Sequence, residues 1–144
     1  MQTLLRLSLW VFLCQACSTH NKADAPAVTP ASTGGVASKN ATFFLKMDWT
    51  TGPKSAATSA ATLSFYDANH HQPISVDSVA VVPWMTSMGH GTAMKDQKIV
   101  PVPGQVGRFT IDGIYLIMGG PWDIRVTAKV NGSVDTATVA VTAP

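Results

Sequence analysis

The sequence predicts an all-β fold: an immunoglobulin-like β-sandwich of about seven antiparallel strands, preceded by a signal peptide and a disordered tether. Three observations lead there. From residue 41 onward the chain falls into short runs rich in Val, Ile, Thr and Phe, several with apolar and polar residues alternating. Gly, Pro, Asn and Asp punctuate those runs. No stretch carries a convincing helical period.

At the amino end, Met1 to Arg6 is a short basic region and Leu7 to Leu13 an apolar core. That core is too short for a bilayer interior of about 30 Å, which needs roughly 20 residues. Residues 1–16 read as a signal peptide of lipoprotein type. Ala16 is the small residue expected before the lipidated cysteine, and Cys17 would carry the anchor; Cys14 and Gln15 are unusual before it. Ordinary cleavage at a nearby small residue would instead release a soluble secreted protein. Residues 17–40 hold the anchor cysteine and a Ser/Thr/Ala/Pro/Gly linker without an aromatic residue. Such a segment buries too little apolar surface to offset its ordering entropy, so it reads as a flexible tether. It would hold the domain on the order of 30 Å from the membrane. His20 is a solvated tail residue on this reading.

Both cysteines, Cys14 and Cys17, lie at the signal boundary. The domain at 41–144 therefore has no internal disulfide and no thiolate ligand, which excludes a His/Cys blue-copper centre and thiolate zinc. Loss of Arg6 from the ten basic residues leaves nine against eight acidic ones, close to neutral. No Lys/Arg run suggests nucleic acid, and the chain has no glutamate.

Within the domain, Ala41–Trp49 opens with a strand stopped by Thr51-Gly52-Pro53. Ala61–Asp67 alternates, with Leu63 and Phe65 on one face. Asp67–His71 is turn-like, and His70 and His71 read as solvated turn residues. Val76–Met85 is β-branched. Ile99-Val100 and Arg108–Ile111 are short strands, with Asp112-Gly113 a turn, while Lys95, Asp96 and Lys98 form a solvated loop. Trp122, Ile124, Val126, Ala128 and Val130 share one face of a long strand. Asn131-Gly132 is a strong hairpin signal, and Val134–Val141 is the last strand, with Val139 and Val141 inward.

The stretch Trp84-Met85-Thr86-Ser87-Met88-Gly89-His90-Gly91 places two thioethers, an imidazole and an indole within eight residues. Thioether sulfur is a soft ligand suited to Cu(I), and imidazole accepts several transition metals. If the strand stays extended through Met88, then Met88 and His90 share a face, about 7 Å apart. Met85 has the opposite parity: it joins them only if the chain turns near Ser87, and otherwise packs in the core. Met118, in Ile117-Met118-Gly119-Gly120-Pro121-Trp122, would supply a third ligand from across the sandwich end. The favoured metal ligands are Met88, His90 and Met118, with Met85 in reserve. Trp84 and Trp122 could lay an indole face against the cation and shield it. Against this stands the ordinary use of Met as a core gap-filler.

Met47-x-Trp49-x-x-Gly52-Pro53, Pro83-Trp84-Met85-x-x-Met88-Gly89-His90-Gly91, Gly107-Arg108-Phe109 and Met118-Gly119-x-x-Trp122-x-Ile124 together resemble the YtkA-like/FixH-like domain family. The resemblance covers nearly all of residues 43–142. It implies an exported or membrane-anchored Ig-like domain with links to copper handling and cytochrome oxidase assembly. Thr86 stands where many members have proline, and the Gly119-Gly120-Pro121 run bears on where Met118 points. The resulting expectation is an envelope lipoprotein, its domain in the periplasm or otherwise outside the cytoplasmic membrane. It would bind Cu(I) as a chaperone or in copper homeostasis, with a copper exporter or an oxidase assembly component as partner. The alternative is an interaction module that assembles a membrane complex without metal. An enzyme is not expected: Ser87 and His90 lie close in sequence, but no orienting carboxylate or oxyanion hole accompanies them.

Overall fold

The computed structural model describes residues 34–70, 72–92 and 96–144. The signal peptide, Cys17, His20, His71 and Lys95 lie outside the described residues. Nine strands are present among them: β1 (Val36–Ala37), β2 (Phe44–Thr51), β3 (Ala57–Tyr66), β4 (Ser78–Met85), β5 (His90–Gly91), β6 (Lys98–Pro101), β7 (Arg108–Leu116), β8 (Gly120–Val130) and β9 (Ser133–Ala143). Two of these, β1 and β5, have only two residues each. The strands form two antiparallel sheets, in the orders β1-β2-β3-β7-β6 and β5-β4-β8-β9.

The alternation seen in the sequence becomes the core. Trp122, Ile124, Val126, Ala128 and Val130 of β8 are all buried, as are Val81 and Met85 of β4. They meet Leu45, Met47, Leu63, Phe65, Ile111, Ile114 and Leu116 of the other sheet. Phe43 packs edge-on to Phe65, ring centroids 5.4 Å apart. Burying a large aliphatic or aromatic side chain contributes about 1.5–3 kcal/mol, so a domain without disulfides can rest on this core. Asn131 and Gly132, both with positive φ, turn β8 into β9.

Several boundaries differ from those the sequence predicts, and two of the differences have a clear physical reason. Asp112-Gly113 is not a turn but a bulge within a longer strand. Ser59 pairs with Ile114 and Ala61 with Ile111, so β7 carries one extra residue there. Gly113 takes φ +77°, and a Cβ on it would sit 2.6 Å from the Asp96 carbonyl oxygen, so glycine lets the strand kink and continue. The ordered domain also begins before residue 41. β1 pairs Val36 with Leu45, and Ser38 is buried. The reason is Asp135 on β9, 4% exposed. Its carboxylate accepts the Asn40 and Thr42 N–H groups at 3.0 and 3.4 Å and the Asn40 side-chain amide at 3.2 Å. Burial raises its pKa, but the hydrogen bonds from Ser38, Thr136, Asn40 and Thr42 outweigh this and hold it at about 2.

Candidate metal site at one end of the sandwich

β4 runs toward one end of the sandwich and β8 starts from it. Their antiparallel pairing, with Trp84 opposite Asp123, sets the turn after β4 beside the turn before β8. One turn carries Met88 and the other Met118, so the two motifs lie at the same end on neighbouring strands.

The strand does not stay extended through Met88. β4 stops at Met85, and Thr86–Gly89 form a tight turn in which the Met88 and Gly89 N–H groups donate to the Met85 carbonyl at 3.1 and 3.0 Å. Gly89 takes φ +69°, a left-handed conformation that costs a residue with a Cβ about 1 kcal/mol or more. The turn changes which residues are neighbours. Met85 and His90 become directly opposed cross-strand partners, and opposed residues in an antiparallel pair present their side chains on one face, Cβ atoms about 5 Å apart. Parity along an extended strand paired His90 with Met88; the hairpin pairs it with Met85.

Met85 is 3% exposed and its methyl group lies under Gly120. His90 is half-buried, with Nδ1 3.3 Å from the Gly91 carbonyl oxygen. An Nδ1–H donated there leaves Nε2 as the ring's free lone pair, the arrangement commonly seen in metal-binding imidazoles. Met88 and Met118 are 56% and 41% exposed. A gap-filling role in the core therefore accounts for Met85 but not for these two thioethers.

The two tryptophans divide. Trp122 is buried, and its Nε1–H donates to the Met118 carbonyl at 3.1 Å, closing the turn that carries the Met118 side chain. The Met-Gly-x-x-Trp spacing thus has a structural meaning: the indole holds the backbone of the methionine four residues before it. Trp84 corrects an expectation. As the neighbour of Met85 on the strand it faces the opposite side of the sheet, where the Arg125 guanidinium lies 4.4 Å from its ring. Its face is occupied, and it does not back the Met85–His90 side. One contact not foreseen from the sequence is Thr86, whose hydroxyl donates to the Asp123 carboxylate at 2.7 Å and ties the methionine turn to β8. The only hint was Asp123 beside Trp122, polar at a position where parity points outward.

Among the described residues no three of His, Cys, Asp and Glu gather as a metal group. The Asp123 carboxylate at this end accepts the Thr86 hydroxyl. The other side-chain donors that the sequence singles out there are three thioethers and one imidazole, a soft set without thiolate. That chemistry fits monovalent copper better than zinc or another hard divalent ion.

The family model described as YtkA-like matches residues 37–127. The chain belongs to the YtkA-like family. The YtkA-like match spans β1 to the middle of β8 and includes both methionine turns; its start at Ala37 agrees with a domain that begins before residue 41. No curated protein and no solved structure matches the chain.

Proposed function

We propose that this YtkA-like domain binds Cu(I) through His90 and the thioethers of Met88 and Met118, with Met85 beneath them. It acts as a copper chaperone or in copper homeostasis at the cell envelope. Lipid on Cys17 anchors it to a membrane, with the domain in the periplasm or otherwise outside the cytoplasmic membrane, and it is not an enzyme. A copper exporter or an oxidase assembly component is the fitting partner. The observation that carries the reading is the hairpin that sets His90 opposite Met85 while solvent reaches Met88 and, on the adjoining turn, Met118. Exposed thioethers contribute little to a core, whereas accessible soft donors suit acceptance and release of a monovalent ion.

A second reading draws on Ile117, 38% exposed beside Met118. An apolar tip of Met88, Ile117 and Met118 also suits docking to a membrane complex without metal. Anaerobic Cu(I) titration against a competing chelator separates the two. The expected result is wild-type binding that weakens about tenfold or more in each of His90→Ala, Met88→Ala and Met118→Ala. Equal affinity in all three variants removes these residues from the site; absence of wild-type binding favours the docking reading.

A further inference from the structure

Among the described residues the edge strands of the two sheets are β1, β6, β5 and β9, of which β1 and β5 cover only Phe44-Leu45 and Trp84-Met85 of their neighbours. β1 and β5 are two residues long, and β6 carries Lys98 and Pro101. Lysine, proline and brevity are the usual guards against strand addition. β9 is different: eleven residues long, regularly paired with β8 throughout, and without charge or proline from Thr136 to Ala143.

Among the described residues its outer edge is closed at both ends and open between. The Thr136 carbonyl accepts the Lys39 N–H at 2.9 Å, and the Thr136 N–H donates to the Asp135 carboxylate at 2.8 Å. At the other end the Pro144 carbonyl accepts the Ser55 hydroxyl at 2.6 Å. Backbone polar groups alternate direction along a strand, so Thr138, Ala140 and Thr142 point the same way as Thr136, away from β8. The register agrees, since Thr142 stands opposite Pro121, which has no N–H to exchange. The side chains of Thr138, Ala140 and Thr142 are exposed, small and uncharged.

We propose that this gap is a β-addition site occupied by a second copy of the chain, β9 against β9, antiparallel about a two-fold axis at Ala140. The gap is centred on Ala140 and symmetric about it, so every free N–H and C=O finds its counterpart: Ala140 with its own copy, Thr138 with Thr142 and Thr142 with Thr138. Such an interface is isologous and closes at two copies. Thr–Thr pairs are favourable cross-strand neighbours, alanine at the axis leaves room, and no like charges meet along the open stretch. The proposal is independent of copper binding.

The test uses the full chain in mild detergent, with sedimentation followed as concentration rises through the micromolar range. The expected result is a dimer, with Ala140→Lys weakening self-association about tenfold or more because two ammonium groups meet at the axis. In a Cys14→Ser, Cys17→Ser background, Ala140→Cys should cross-link on oxidation while Lys98→Cys should not. Cα atoms of a hydrogen-bonded antiparallel pair lie about 5.5 Å apart, within disulfide reach. A monomer whose Thr138, Ala140 and Thr142 amides exchange rapidly overturns the proposal. A monomer with those amides protected also overturns it, as the chain's own residues or a foreign peptide would then fill the edge. So does a dimer indifferent to Ala140→Lys and not cross-linked through Ala140→Cys.

Discussion

The two ends of the sandwich are built on opposite rules. At one end Asp135 is buried and fully engaged, its oxygens accepting hydrogen bonds from the segment around Asn40 and Thr42. At the other end Met88, Ile117 and Met118 stand in solvent, where their apolar surface contributes little to stability. A polar group taken out of water needs internal partners and becomes structural; soft donors left exposed on tightly tied turns are free to meet something else. The difference teaches where to look for function. Substitutions at the Asp135 end should act on stability, and those at the methionine end on binding.

The largest expected effect is at Asp135. Asp135→Ala strands the N–H groups of Asn40 and Thr42 and should cost about 3 kcal/mol in urea unfolding. Ionised Asp135 stabilises the fold fully above its unfolded pKa of 3.8, and that stabilisation is lost as pH falls toward about 2. Between those values the wild type should therefore lose about 2 kcal/mol more than Asp135→Asn. A parallel loss in both proteins would mean that the carboxylate is not the lock.

Trp122→Phe should be next, at about 2 kcal/mol, from the vacated ring volume and the missing hydrogen bond to Met118. It should also lower Cu(I) affinity, because the Met118 turn loses its tie. Unchanged affinity would separate that tie from the site. Gly89→Ala should cost about 1 kcal/mol through its left-handed backbone alone, since open space surrounds the position of a Cβ. The smallest change should be Met88→Leu, within about 0.5 kcal/mol of wild type in thermal unfolding but with clearly weaker Cu(I) binding. A large loss of stability there would move Met88 from the binding end to the core.

The fold was legible because a period-two pattern is local. Trp122, Ile124, Val126, Ala128 and Val130 announce a buried face to anyone reading the sequence, and Asn131-Gly132 announces the turn that follows. Gly113 was misread because glycine after aspartate serves a turn and a bulge equally well, and only the pairing with β3 selects between them. The domain's start was hidden because Ser38, Asn40 and Thr42 are ordered by a carboxylate more than ninety residues away.

What the sequence determined by itself is the all-β sandwich, the YtkA-like motifs and the gathering of thioethers and an imidazole in two short stretches. Tertiary structure alone decided that His90 stands opposite Met85 across a hairpin, that Trp84 is spent on Arg125, and that both methionine turns share one end. The physical reason is that side-chain direction repeats every second residue only while a strand lasts. Once a left-handed glycine ends it, neighbours are set by pairing across strands, which residue order does not record.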